Sequence, residues 1–259
     1  MSLRDRLWLW CHPTGSHNGI YGLPADSSMS PMEAAQHLGL RNALLVRYHE
    51  HGPFPPFEAY AAPLRAFDRI VWSVVGASGD ADVAAREAAL DLAWHMPNLT
   101  GVIMDDFFRG RDAAGQLDGA ISPEGLTELR TRLRLTDRTL DLWTVLYSHE
   151  MDDSARPYLD LCDVVTFWVW KAEDLAQLPE RYAQLEALTA GKRTLLGCYM
   201  WDYGNSRPMP LASFQRQCAF GQELLRTGRI EGMILLASCV CDLGLDTVEW
   251  AREWIARLE

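Results

Sequence analysis

The chain has 259 residues, of which 48% are hydrophobic and 23% are charged, and its formal net charge is −11 at pH 7. This composition supports a sizeable core, and the length is close to the roughly 250 residues of a typical α/β barrel. The negative charge argues against nucleic acid or an anionic membrane as a partner, because both would require a basic patch.

Neither the N-terminal residues nor any later segment resembles a targeting or membrane-spanning sequence. The first residues lack the apolar stretch of a signal peptide, and no segment reaches about 18 consecutive apolar residues. The six cysteines match neither a CxxC motif nor a secreted disulfide framework. We therefore expect a cytoplasmic protein whose thiols are buried and reduced.

Eight short apolar runs, rich in β-branched, aromatic and leucine residues, recur along the chain. Runs that are apolar on both faces are typical of parallel strands covered by helices. The predicted strands are residues 7–12, 43–49, 70–76, 102–107, 140–148, 164–170, 194–201 and 232–238.

Helical patterns lie between these runs. Ser30 and Ser122 each precede a proline, which predicts an N-cap followed by proline in the first helical turn, and Glu33 completes a capping box with Ser30. Apolar residues recur at helical spacing in three further segments, residues 81–95, 175–188 and 247–258.

Eight alternations of strand and helix predict a single (β/α)8 barrel, a TIM barrel, that spans residues 1–259 as one domain. An open, doubly wound sheet is the competing architecture. It would favour a Gly-rich phosphate loop after its first strand, and residues 15–19 do not fit GxGxxG. We expect no cofactor.

Adjacent carboxylates, Asp105 and Asp106, directly follow the fourth predicted strand. Active sites of these barrels lie at the carboxyl ends of the strands, so the pair should emerge at the catalytic face. Two close carboxylates raise the pKa of one of them, which yields one ionised group and one proton donor. In the structural alternative, one aspartate caps a turn and the other pairs with Arg109 or Arg47.

Glu150 and Asp202 follow the fifth and seventh strands and could bring a further catalytic carboxylate to the same face. Opposed carboxyl groups about 5–5.5 Å apart suit a retaining glycosidase, and about 6.5–9.5 Å an inverting one. Glu150 is equally suited to a helix start, where negative charge complements the helix dipole.

Aromatic and basic side chains at the strand ends are candidates for substrate binding. Flat apolar rings with a polar edge suit the C–H faces of a sugar, although tryptophan is abundant throughout this chain and also serves as core. Arg47 could bind a substrate carboxylate or neutralise the aspartate pair. The full set of substrate-binding candidates is Trp10, His12, Arg47, His49, Tyr147, His149, Trp168, Trp170, Tyr199 and Trp201.

Three histidines provide a rival interpretation. His12, His49 and His149 end three different strands close to the acidic residues and could hold a divalent metal for a sugar isomerase or aldolase. No HExxH spacing supports this, and our main prediction includes no metal.

The segment Gly-Val-Ile-Met-Asp-Asp at residues 101–106 resembles the strand-four region of glycoside hydrolases built on this barrel. In particular it resembles the Asp-Asp of O-GlcNAcase-type, substrate-assisted N-acetylhexosaminidases. The resemblance implies that Asp105 orients and polarises the 2-acetamido group and that Asp106 is the general acid/base. It also implies that Tyr147 or Tyr199 contacts the acetamido oxygen.

The sequence as a whole predicts a hydrolase that acts on a glycosidic bond of a small or oligomeric carbohydrate. The alternatives are the metal-dependent isomerase or aldolase and a non-catalytic carbohydrate-binding barrel. The sequence predicts no nucleic-acid or membrane partner and leaves the oligomeric state open.

Overall fold

Eight parallel strands form a closed barrel in the computed structural model, which describes residues 2–134 and 138–258. Each strand pairs with its neighbours in the chain, and the last strand pairs with the first, for example at Trp10 and Leu236. The strands are β1 (Leu7–Cys11), β2 (Asn42–Leu45), β3 (Arg69–Val75), β4 (Leu99–Met104), β5 (Asp141–Tyr147), β6 (Val164–Trp168), β7 (Arg193–Tyr199) and β8 (Gly232–Leu236).

One α-helix follows each strand along the chain, which confirms the predicted (β/α)8 barrel. The open-sheet alternative is wrong because β1 is hydrogen-bonded to both β2 and β8, which leaves no sheet edge. The helices are α1 (Pro31–Leu38), α2 (Glu58–Leu64), α3 (Val83–His95), α4 (Pro123–Arg134), α5 (Arg156–Leu159), α6 (Leu178–Leu188), α7 (Leu211–Arg226) and α8 (Asp246–Ala256).

The two predicted serine caps are present. Ser30 and Glu33 form the complete capping box at the start of α1. Ser122 accepts a hydrogen bond from the backbone N–H of Gly125 at the start of α4, at 3.3 Å. Side chains near the chain surface thus satisfy N–H groups that lack an intrahelical partner.

Large aromatic side chains fill the barrel interior in edge-to-face pairs. Trp8 packs against Trp143 and Trp10 against Trp168, each with ring centroids 5.2 Å apart. Gly197 on β7 makes room for Trp168, since a Cβ at this position would lie 2.1 Å from the indole ring. The interior is therefore a packed core, and open space remains at the carboxyl ends of the strands.

Several strands end earlier than predicted. Strand β2 ends at Leu45, β6 at Trp168 and β7 at Tyr199, so the polar residues that follow lie in loops. Two small antiparallel hairpins are added at this end of the barrel, Phe108–Arg111 with Leu117–Gly119 and Trp201–Asp202 with Arg207–Pro208.

Among the helices of the described residues, none combines the length and the apolar character needed to cross a membrane.

Candidate active site

A pocket opens at the carboxyl ends of the barrel strands and encloses about 490 Å³ of space between atoms, open solvent at its mouth included. Both predicted aspartates line it, together with aromatic side chains from the strand ends and from three loops. The lining residues are Trp10, His12, His17, Tyr21, Tyr48, His49, Ala77, Ser78, Asp105, Asp106, Val145, Tyr147, Trp168, Trp170, Tyr199, Tyr203 and Leu236.

Asp105 is the buried member of the pair, with 6% of its surface exposed. Its backbone N–H continues the sheet by donating to the carbonyl of Val75 at 3.0 Å. Its Oδ1 accepts the backbone N–H of Asp106 at 2.8 Å. Burial, followed by the negative charge of Asp106, raises the pKa of Asp105 well above its usual value. Burial therefore favours the protonated form of Asp105.

Asp106 is held from two sides by hydrogen-bond donors. The hydroxyl of Tyr147 donates to its Oδ1 at 2.7 Å, and the backbone N–H of Ser78 donates to its Oδ2 at 2.8 Å. The backbone of Asp106 has φ +41°, a left-handed conformation that aspartate tolerates better than most residues. The loop after β3 and the end of β5 thus fix a carboxylate whose negative charge they stabilise.

Arginine does not neutralise the pair within the described residues. Arg47 does not line the pocket, and its guanidinium lies 3.0 Å from Asp80 Oδ2 and 3.5 Å from Asp82 Oδ2. Arg109 is directed to Asp118, at 3.9 Å. The two arginines considered as partners of the aspartate pair are therefore bound elsewhere.

Glu150 and Asp202 are not brought to the pocket. Asp202 has no exposed surface, and it binds the side chains of Asn205 and Arg207 at 2.9 and 3.0 Å. The reason is the hairpin after β7, which turns Asp202 toward its own second strand.

Glu150 lies behind the pocket wall. Its Oε2 accepts the backbone N–H of Tyr147 at 2.8 Å, so it touches the residue that holds Asp106. Only 9% of Glu150 is exposed, and burial is the main cause that raises its pKa to about 7. Glu150 therefore contacts the pocket through Tyr147.

Three of the four candidate tryptophans line the pocket, namely Trp10, Trp168 and Trp170. Trp168 donates its indole N–H to Thr166 Oγ1 at 2.9 Å. Trp201 lies outside the pocket, where its indole N–H donates to the backbone carbonyl of Tyr21 at 2.9 Å. This tryptophan supports a loop that contributes to the pocket wall.

The three candidate histidines do not form a ligand set. His12 lines the pocket, but its Nδ1 lies 3.0 Å from the carbonyl of Val46 and its Nε2 accepts the indole N–H of Trp10 at 3.1 Å. Both ring nitrogens are therefore engaged, and burial lowers the pKa of His12 to about 4. His49 lies at the rim, whereas His149 is exposed and stacks on Tyr147. No group of three or more histidine, cysteine or acidic residues suited to a metal occurs in the described part of the chain.

Both candidate tyrosines, Tyr147 and Tyr199, line the pocket. The hydroxyl of Tyr147 binds Asp106, and the ring of Tyr199 packs against Trp168 with centroids 5.0 Å apart. Tyr147 therefore joins the end of β5 directly to the aspartate pair.

The sequence-based candidate set omits four aromatic lining residues. His17 and Tyr21 come from the long loop between β1 and α1, while Tyr48 and Tyr203 follow β2 and β7. Tyr21 and Tyr48 share a hydroxyl–hydroxyl hydrogen bond of 2.9 Å, and His17 Nδ1 lies 3.1 Å from the Tyr203 hydroxyl. The length of the first loop is the signal that could have identified it, since long ordered loops in barrels are often functional.

Unusual backbone conformations concentrate at this pocket. Five non-glycine residues with positive φ occur among those described, and four of them line the pocket, namely Tyr21, His49, Ser78 and Asp106. Such conformations are unfavourable and persist where surrounding contacts enforce them, which often happens at functional sites.

No protein-family model matches this chain, and no curated protein matches it. Several solved structures, in contrast, are similar to this chain in fold. One is active domain 2 of a thermostable chitinase from Pyrococcus furiosus, solved as a catalytic-site mutant in complex with chito-oligosaccharides. Its TM-score is 0.60 at 11% identity, and the match covers 97% of this chain and 93% of that chain. A xylanase–α-amylase inhibitor protein in complex with trehalose has a TM-score of 0.59 at 13% identity, covering 96% and 98%.

A β-1,4-mannanase of family GH113 has a TM-score of 0.56 at 10% identity, covering 98% of this chain and 99% of that chain. At such low sequence identities, the likeness shows that the fold is shared and nothing further. The barrel is of the type found in glycoside hydrolases, so the predicted resemblance to glycoside-hydrolase barrels is confirmed for the fold.

Proposed function

We propose that this protein hydrolyses glycosidic bonds and that Asp105 and Asp106 are its catalytic residues. The observation that carries the proposal is the unequal environment of two adjacent carboxyl groups in one aromatic pocket. One is buried and keeps its proton, and the other accepts two hydrogen bonds that stabilise its charge. A proton donor beside a fixed negative charge is what an oxocarbenium-like transition state requires.

In the proposed mechanism, Asp105 donates its proton to the departing glycosidic oxygen. Asp106, oriented by Tyr147 and Ser78, stabilises the positive charge that develops on the sugar. The bond between the anomeric carbon and that oxygen breaks, and water then attacks the anomeric carbon, directly or after a transient bond to a group of the substrate. The proton that this water loses returns to Asp105. The aromatic rings of the pocket pack against the C–H faces of the sugar.

Among the residues that the structure describes, the two aspartates are the only carboxylates that line the pocket, and they are adjacent in the chain. An opposed carboxylate from another strand is not supplied by Glu150 or Asp202. This favours a mechanism in which a group of the substrate, such as a 2-acetamido group, attacks the anomeric carbon. The resemblance implies Asp106 as the acid, whereas the burial of Asp105 favours Asp105 for that role.

The experiment is a panel of nitrophenyl glycosides, including N-acetylhexosaminides, assayed with the wild type and with Asp105→Asn and Asp106→Asn. We expect both variants to lose at least about a hundredfold in kcat. Loss of the general acid slows a substrate with a poor leaving group more than one with a good leaving group, and we expect this selective loss in Asp105→Asn. Full activity of Asp106→Asn would refute the proposed pair.

A non-catalytic sugar-binding barrel is the second candidate, favoured by the inhibitor protein whose fold this chain shares over nearly its whole length. Saturable binding of a sugar whose glycosides are never cleaved would support this candidate. We also propose a cytoplasmic location, because all six cysteines are buried and none forms a disulfide.

A further inference from the structure

We propose that the pocket selects its ligand by charge: it takes sugars that are neutral or carry an amino group and rejects uronic acids and other anionic sugars. This inference rests on the proposed carbohydrate-binding role of the pocket and goes beyond it by naming the substrate class. It follows from the charges on the pocket wall, the hydrogen bonds that are already formed there, and the aromatic rings around the aspartates.

The lining residues carry negative charge and no permanent positive charge. Asp106 supplies this negative charge, and neither lysine nor arginine is among the described residues that line the pocket. The nearby Arg47 is held by Asp80 and Asp82, so its charge is already compensated.

The two buried histidines of the wall do not supply a cation either. Burial lowers the pKa of His12 to about 4, and burial followed by the neighbouring His12 lowers the pKa of His17 well below its usual value. The third histidine of the lining, His49, lies at the exposed rim and not on the inner wall. Near neutral pH, the inner wall therefore presents a negative field to a ligand.

A carboxylate on the ligand would find four of the donors in the pocket already occupied. Asp106 already accepts the Tyr147 hydroxyl and the Ser78 N–H. The indole N–H groups of Trp10 and Trp168 are bound to His12 and Thr166. An entering carboxylate would lose its hydration and would lie near a like charge, and both effects are unfavourable.

An ammonium group meets the opposite conditions. Asp106 offers a fixed counter-charge, and the rings of Tyr147, Trp170 and Tyr203 line the same pocket. Trp170 lies 5.9 Å from Tyr147 and 6.4 Å from Tyr203, measured between ring centroids. Aromatic faces attract cations within about 6 Å, so the wall and the carboxylate act in the same direction.

The test measures binding of glucosamine, N-acetylglucosamine, glucose and glucuronic acid to the full chain by titration calorimetry at about pH 7. We expect glucosamine to bind at least about tenfold more tightly than glucuronic acid, with the neutral sugars between them. High salt should narrow the difference. Equal or tighter binding of glucuronic acid would overturn the inference.

This outcome is distinguishable from failure of the proposed function. If the protein cleaves glycosides but shows no preference for ligand charge, only the charge inference is overturned. If it binds sugars selectively by charge but cleaves none, only the proposed hydrolase activity is overturned. Absence of binding by all four sugars, together with absence of cleavage, overturns both.

Asp106→Asn locates the effect, and Asp118→Asn is its matched control. Asp118 is an exposed carboxylate outside the pocket lining, so its removal changes the net charge by the same amount. We expect Asp106→Asn to reduce the preference for glucosamine several-fold and Asp118→Asn to leave it unchanged. An equal loss in both variants would assign the preference to overall charge and refute selection by the pocket. The wild-type comparison keeps the inference falsifiable if Asp106→Asn does not fold.

Discussion

Asp105 and Asp106 are identical in type and adjacent in the chain, yet their surroundings differ. Asp105 continues the sheet with its backbone and is buried at the end of β4. Asp106 leaves the strand through a left-handed backbone conformation and reaches donors from β5 and from the loop after β3. The asymmetry of the pair therefore comes from burial and from hydrogen-bond donors.

At the same scale, Tyr147→Phe removes the hydroxyl that donates to Asp106 and keeps the ring between His149 and Trp170. We expect kcat on a cleaved glycoside to fall about tenfold to a hundredfold, since an oriented charge-assisted hydrogen bond is lost. The free energy of unfolding should change by about 1 kcal/mol or less.

Steady-state kinetics and urea unfolding test this prediction. Tyr158→Phe is the matched control, because Tyr158 packs against Phe107 and Phe108 outside the pocket lining. Unchanged kcat in Tyr147→Phe would contradict the role assigned to the hydroxyl.

Glu150 links protonation to stability. Its pKa is raised from 4.5 to about 7 in the folded state, so between these pH values the folded chain binds more protons than the unfolded chain. The free energy of unfolding therefore falls as pH rises through this window, by up to about 3 kcal/mol from this group. Glu150→Gln removes the charge and retains an acceptor for the Tyr147 N–H.

We expect the stability of Glu150→Gln relative to the wild type to increase between about pH 4.5 and about pH 8, as measured by urea unfolding at both values. Glu128→Gln, the same substitution at an exposed helical glutamate, is the matched control for the change in charge. A relative stability of Glu150→Gln that does not depend on pH would contradict the prediction.

At the scale of elements, the loop between β1 and α1 builds one wall of the pocket. The Asn18 side chain binds the backbone of Ser27 twice, at 2.8 and 3.1 Å, which closes the loop on itself. Trp201 and Asp242 fix it to the rest of the barrel through backbone groups of the loop. The wall is therefore held by polar contacts between side chains and the backbone of the loop.

Asn18→Ala removes both hydrogen bonds to Ser27 and should loosen the segment that carries His17 and Tyr21. We expect KM or the sugar dissociation constant to rise by about threefold to tenfold, with a smaller effect on kcat. Ser30→Ala is the control because it removes the cap of α1, costing about 1 kcal/mol of stability, and leaves the pocket lining intact. Equal effects of the two variants on binding would contradict a specific role of the loop.

At the scale of the whole molecule, barrel closure depends on close packing of the interior. Trp168 lies over Gly197 and between Trp10 and Tyr199, with ring centroids 5.2 and 5.0 Å away. Gly197→Ala would place a Cβ 2.1 Å from the indole ring, which cannot move without displacing its neighbours. We expect a loss of about 1–3 kcal/mol in urea unfolding. An unchanged unfolding midpoint would contradict this packing argument.

The number and order of strands were predictable, because buried parallel strands are apolar on both faces and each leaves a local signal. The ends of the strands were harder to predict from the sequence. Residues 46–49 and 200–201 look like strand continuations, but they turn into loops and a hairpin under tertiary contacts. The same contacts remove Asp202 and Trp201 from the predicted site and bring Tyr21 into it.

The barrel and the location of Asp105 and Asp106 at the carboxyl end of β4 follow from the sequence, because strand periodicity and chain order are local properties. The neighbours of the pair depend on the three-dimensional fold. Tyr147 and Ser78 come from two different parts of the chain, the end of β5 and the loop after β3, and Arg47 is diverted by Asp80 and Asp82. These relations depend on side-chain direction and burial across distant segments, which no local pattern encodes.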